Sequence, residues 1–184
     1  TIIESILFSV GRTGTVTPVA KVKPVVCGGV TISSVSLHNF DEIERLNVRN
    51  GDKVLIERAG DVIPKVIRSI SSPRSAAKIS PPKECPSCKS QVYNDPEEVA
   101  YRCLNPSCPA QIEGGILHFA SRDGMDIEGL GESAVQQLIQ NKLIKDISDV
   151  YHLTKDDLLK CKLFADKKAQ NLLTQIEQSK KRPL

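Results

Sequence analysis

The chain opens on β-branched runs separated by glycines. Ile2 to Phe8, Thr15 to Ala20, Val25 to Val35, Lys53 to Arg58 and Val62 to Ile70 have the Val, Ile and Thr content of strands, and Gly11, Gly14, Gly28, Gly29, Gly51 and Gly60 punctuate them. Between the third and fourth runs the period changes. Over Asn39 to Leu46, Phe40, Ile43 and Leu46 fall at i, i+3 and i+6, which is one face of a helix. A series of five strands with a helix between the third and fourth predicts a small barrel of the OB type. An SH3-like barrel is the alternative that the pattern leaves open. Residues 73–84 are rich in Pro and Ser and read as a linker. After Cys108 the apolar spacing turns helical, over Ser133 to Gln140, Ile147 to Leu153 and Asp166 to Gln178. Thr154, with Asp157 three residues on, reads as a capping box in which Asp stands for Glu.

Composition narrows the class. The 184 residues are 40% apolar and 26% charged, which excludes collagen-like, low-complexity and disordered chains. Aromatics are 4% and Trp is absent, so the cores are expected to be Val, Ile and Leu in small modules. No apolar stretch reaches the roughly 18 residues of a transmembrane helix. Thr1 to Val10 has neither the basic start nor the apolar core of a signal peptide, and there is no initiator Met. The expectation is an internal piece of a longer protein. The net charge is only +3, and residues 111–184 carry eleven basic and eleven acidic side chains. No segment is a basic block, so any nucleic-acid contact must come from a few placed residues and backbone amides.

The clearest chemistry lies in the cysteines. Cys85-x2-Cys88 and Cys103-x4-Cys108 are two close pairs separated by fourteen residues. Each pair spans a tight turn that aims two sulfurs at one centre, and four thiolates surround Zn2+ tetrahedrally. With no open position the zinc is structural and not catalytic. Four unrelated buried cysteines and an iron–sulfur cluster are the alternatives. Cys27 and Cys161 stand apart and read as small core residues. Gly129-Leu130-Gly131 precedes Ser133 and the apolar face of Ala134, Leu138 and Ile139. A turn there leaves N–H groups pointing outward at a helix start, the physics of a helix-hairpin-helix that grips phosphate, with a plain helix–helix turn as the alternative. Gly131 is read as a position where this turn takes positive φ. His38, His118 and His152 accompany no nucleophile or carboxylate pattern and read as packing residues. There is no Lys-x-Asp-Gly, no Gly-rich phosphate loop and no Ser/His/Asp set, so nothing here is equipped for covalent chemistry.

These residues together resemble the bacterial NAD-dependent DNA ligases. The resemblance is carried by Val10-Gly11-Arg12-Thr13-Gly14, Thr17-Pro18-Val19-Ala20, Leu37-His38-Asn39, Arg49-Asn50-Gly51-Asp52 and Arg58-Ala59-Gly60-Asp61-Val62-Ile63-Pro64-Lys65-Val66. It continues through the cysteine knuckle with Cys108-Pro109-Ala110-Gln111, His118-Phe119 and Met125-Asp126-Ile127-Glu128-Gly129-Leu130-Gly131. It implies a multidomain chain: an all-β OB-fold domain over 1–72, the linker 73–84, a four-cysteine zinc finger over 85–110 and an incomplete α-helical helix-hairpin-helix domain over 111–184. It implies that the adenylation domain, with its nucleophilic Lys, its NAD and its Mg2+, lies outside this chain. The fragment alone is then expected to be inactive. By the same resemblance Arg12, Thr13 and Arg58 touch phosphates, Val62 and Ile63 press a strand tip into the minor groove, and Gly129 and Gly131 hold phosphate. For Val62 and Ile63 the competing reading is barrel core. The implied partners are nicked duplex DNA and the missing adenylation domain, with no membrane, in a monomer of the bacterial cytoplasm serving replication and repair. One departure stands out. Leu163-Phe164-Ala165-Asp166 lacks the glycines expected of a second hairpin, which puts its DNA contact in doubt, although its helical fold is expected to persist.

Two other readings compete. A stand-alone OB and zinc-ribbon module for single-stranded nucleic acid would need stacking aromatics, and only Phe8 and Phe40 lie in the barrel region. A zinc ribbon that binds protein partners leaves the Gly129 hairpin without a purpose.

Overall fold

A computed structural model describes residues 1–59, 63–73 and 77–181. The chain divides into two compact units, Thr1–Asn105 and Pro106–Leu184.

In the first unit β1 (Ile3–Val10), β2 (Val16–Cys27), β3 (Val30–Ser36), β4 (Lys53–Ala59) and β5 (Ile63–Ser71) form one sheet in the order β1-β2-β3-β5-β4. The ends meet. Ile2 bridges Lys53, Ile3 N–H donates to Asp52 O at 2.8 Å, and Val54 N–H donates to Thr1 O at 2.9 Å. This closure, with β3 parallel to β5 at Ser36 and Lys65, is the OB arrangement and excludes the SH3-like alternative. The run predicted as Val25 to Val35 is two strands. Gly28 (φ 57) and Gly29 (φ 75) make a two-residue turn between the paired Cys27 and Val30. β2 also extends through Pro24, which has no N–H to give the ladder, and the register slips between Lys21 and Val25.

The helix expected over 39–46 is α1 (Phe40–Leu46), with the Asn39 side chain accepting from Glu42 N–H at 2.8 Å as its N-cap. It lays Phe40 and Ile43 over a core that includes Ile3, Val22, Val35, Leu37, Val48 and Val54. Each such side chain contributes on the order of 2 kcal/mol by leaving water. Ile79 of the linker packs on the same core.

Asp52 is fully buried and organises the entry to β4. Its Oδ2 accepts from Arg49 N–H at 3.0 Å and from Ser69 Oγ at 3.0 Å. Asp52→Ala would strand both donors, and urea unfolding should show stability lower by about 3 kcal/mol. A loss below about 1 kcal/mol would mean that water replaces the carboxylate.

The cysteine module adds a short hairpin, β6 (Val92–Asn94) with β7 (Tyr101–Cys103). The second unit begins with α2 (Pro109–Ala120), then α3 (Glu132–Gln140), a 3-10 turn (Ser148–His152), α4 (Lys155–Leu159) and α5 (Asp166–Ser179). Their core gathers Ile116, Leu130, Val135, Leu138, Ile144, Leu158 and Leu172. Ile147 to Leu153, predicted as an α-helical stretch, is instead this 3-10 turn. The Thr154–Asp157 capping box forms in both directions at the start of α4. Among the described residues no helix is long and apolar enough to cross a membrane.

Candidate metal centre and nucleic-acid interface

The sulfurs of Cys85, Cys88, Cys103 and Cys108 all lie within 4.8 Å of one another. Tetrahedral ligation at about 2.3 Å asks for sulfurs about 3.8 Å apart. Cys88 and Cys103 stand at 3.5 Å. The first knuckle is shaped by Cys85 N–H donating to Ser90 O at 2.8 Å and Lys89 N–H donating back to Cys85 O at 3.0 Å, with Lys89 at φ 63. Cys103 ends β7, and Cys108 is the N-cap of α2 with Pro109 as its first residue. Three of the four sulfurs belong to buried residues. Hydrogen bonds from Ser90, side chain first and backbone next, pull the Cys88 thiol down to about 6. Four soft, closely placed sulfur donors, one of them readily ionised, suit zinc, which takes thiolate and leaves no position for substrate.

The predicted nucleic-acid contacts fall at three places. Arg12 and Thr13 are exposed on the β1–β2 turn. Arg58, near the end of β4, sends Nη1 to Gly28 O at 3.3 Å, so it lies beside the β2–β3 turn. Ile63 opens β5 at 59% exposure, which removes it from the barrel core. Val62 lies outside the described residues. Pattern reasoning missed the β2–β3 turn as a neighbour of Arg58, although it carries Val26 (69% exposed) and Val30 (47%). Phe40 is buried with Phe8 packed on it at 5.6 Å, so both rings serve the core and not base stacking.

The third place is the first hairpin. Leu130 N–H donates to Ile127 O at 3.3 Å across a turn whose third residue, Gly129, has φ 93. That positive φ is the mark of a type II turn. Gly131 is the extended N-cap of α3 at φ −85 and ψ 179, with no side-chain cap. The expectation of positive φ therefore belongs to Gly129 and not to Gly131. Both glycines are exposed and share an open hollow with Arg122 and Glu128.

A second copy of this arrangement follows. Ile127, Leu130, Val135 and Leu138 correspond, at one constant offset, to the buried Cys161, Phe164, Ala169 and Leu172. Phe164 N–H donates to Cys161 O at 3.0 Å, the counterpart of the Leu130 bond. The turn itself differs. Among the described residues none between Lys160 and Ala165 has positive φ, so a type II turn is excluded. The Leu163 N–H instead donates to Gln137 Oε1 at 3.2 Å. Asp166 pairs with Lys155 at 2.7 Å, which holds its carboxyl below the usual range.

The histidines do not pack as expected: His38, His118 and His152 are all exposed. Cys161 is a core residue, its thiol pushed up by burial, whereas Cys27 is only half-buried.

A closed five-stranded OB barrel, a four-cysteine module and a hairpin-linked set of helices define a multidomain OB-fold and zinc-finger chain. Residues 1–78 match the NAD-dependent DNA ligase OB-fold domain, and residues 84–110 match the NAD-dependent DNA ligase C4 zinc finger domain. The whole chain is 50% identical to a DNA ligase of Geobacter sulfurreducens, of which it covers 28%, and 53% identical to a DNA ligase of Hydrogenobaculum sp., of which it covers 27%. A DNA ligase of Aquifex aeolicus is 52% identical over 97% of the chain and 25% of its own length. The chain thus belongs to the NAD-dependent DNA ligase family and spans about a quarter of the length of these relatives.

Proposed function

We propose that this chain is the DNA-holding part of an NAD-dependent DNA ligase and grips nicked duplex through its phosphates. The reading is supported most by one observation: in a chain of this family, the candidate contacts Arg12, Thr13, Ile63, Gly129 and Gly131 are all exposed. Arg12 and Arg58 supply charge to phosphate oxygens. The hairpin amides supply donors at the positive end of the α3 dipole. Ile63 supplies an apolar edge suited to the minor groove. Cys85, Cys88, Cys103 and Cys108 hold a structural zinc. The joining of 5′-phosphate to 3′-hydroxyl through AMP, with NAD and Mg2+, belongs to an adenylation domain outside these 184 residues, since they contain no Lys-x-Asp-Gly. The chain would act in the cytoplasm, as one copy per nick, in replication and repair.

Phosphate contacts release counterions, so affinity should fall steeply with salt and vary little with sequence. Arg58→Ala, measured by fluorescence anisotropy on nicked duplex, should reduce the slope of log K against log salt by about one. Binding that ignores salt would overturn the reading.

A further inference from the structure

The β1–β2 turn that carries Arg12 and Thr13 is braced from outside the barrel. Within it, Gly11 N–H donates to Thr15 O at 2.9 Å and Gly14 N–H to Gly11 O at 2.9 Å. Strand β7 of the cysteine module then adds to its edge. Thr15 pairs antiparallel with Arg102, and Cys103 N–H donates to Gly14 O at 2.8 Å. Arg102 Nη1 reaches Thr15 Oγ1 at 3.3 Å, and that oxygen lies 3.1 Å from Thr13 Oγ1. Behind this, Glu98 accepts from Arg102 Nε at 3.1 Å and from Nη2 at 2.9 Å, and the Tyr101 ring meets Phe40 edge-on at 4.9 Å. A polar chain therefore runs from Glu98 through Arg102 and Thr15 to Thr13.

We propose that Arg102 is a positioning residue for DNA binding, fixing through Thr15 the shape in which the Arg12–Thr13 turn meets phosphate. The inference rests on the reading of Arg12 and Thr13 as phosphate contacts. An exposed turn with two glycines has many conformations to lose on binding, and a brace that removes them beforehand raises affinity without touching the ligand. Arg102 is poorly suited to be a phosphate contact itself, because Glu98 already neutralises its charge. The cysteine module takes part, since Cys103 is both a ligand candidate and the donor to Gly14.

The test uses the zinc-loaded chain with nicked duplex DNA. Affinity is measured across a salt series for Arg102→Ala, Thr15→Val, Arg12→Ala and Arg12→Ala/Arg102→Ala, with zinc content checked for each and amide exchange followed at Gly11 and Gly14. Arg102→Ala should retain its zinc and bind roughly tenfold more weakly, the scale of one charge-assisted hydrogen bond. Its salt slope should not change, and exchange at Gly11 and Gly14 should quicken. Thr15→Val, which removes only the hydroxyl, should reproduce part of the loss. On the Arg12→Ala background Arg102→Ala should cost less than it does alone, the remainder passing through Thr13. Additive losses with a salt slope lower by about one would make Arg102 a direct phosphate contact and overturn the proposal. So would wild-type affinity in both Thr15→Val and a zinc-replete Arg102→Ala, provided Arg12→Ala weakens binding. If Arg12→Ala itself has no effect, the phosphate reading of this turn fails, and the brace fails with it. Should Arg102→Ala lose its zinc, Thr15→Val decides.

Discussion

Removing zinc, or replacing Cys85 with Ser, will unfold the four-cysteine module and leave the barrel folded. β6 and β7 are three residues each, and an isolated hairpin of that size is marginal in water. Among the described residues, the module contributes only Val92 and Tyr101 to the apolar packing around the barrel core. Little besides the metal can offset the entropy of ordering Cys85 to Cys103. In comparable modules the metal supplies on the order of 10 kcal/mol. The barrel closes on itself through Ile2 and Lys53 and keeps its own core. Elemental analysis should find one zinc per chain. After chelation, amide exchange should accelerate over 83–103 and stay slow at Val22, Val35 and Val54. Absence of zinc from the purified chain, or a knuckle that stays protected without it, would sink the metal assignment.

The second large effect separates stability from binding at the first hairpin. Gly131→Asp should fold as well as the parent or slightly better. Its φ of −85 suits any residue, nothing lies within 4 Å of an added Cβ, and Asp is a good N-cap for α3. Yet its carboxylate would occupy the place proposed to receive phosphate at the helix start, so DNA affinity at low salt should fall by at least about tenfold. Gly129→Ala should behave oppositely. The φ of 93 is strained for any residue with a Cβ, while the added atom would make only ordinary contact with Leu172 at 3.8 Å. A stability loss of about 1–2 kcal/mol is expected, with weaker binding only as far as the hairpin loosens. Denaturation and anisotropy on both variants check this. Parental affinity in a folded Gly131→Asp would count against the hairpin as a phosphate grip and favour a protein partner for this unit.

The two hairpins also show how far a repeat can be trusted. Leu163 replaces the glycine of the first turn, its backbone takes another course, and its N–H is held by Gln137. The second hairpin keeps the packing of the first and loses the features that suit the first to an anion.

What could be read from the sequence alone was what neighbouring residues decide together. β-branched runs broken by glycines foretold five strands, the spacing of Phe40, Ile43 and Leu46 foretold α1, and Thr154 with Asp157 foretold a cap. The cysteine spacing foretold two pairs of sulfurs, each gathered by a short turn, and the fold brings the pairs together. α2 escaped notice because Gly114 and Gly115 interrupt its apolar pattern, although Pro109 sits where a helix begins. The split between β2 and β3 escaped because two glycines inside a β-branched run look like weak strand, until pairing makes them a turn. The rest is not local at all. The closure of β1 on β4, the burial of Asp52, the seat of Arg58 beside Gly28 and the bracing of the Arg12 turn by Arg102 join segments far apart in the chain. Such contacts are selected by which surfaces can be buried together and which polar groups must then be satisfied, and only the tertiary structure decides that.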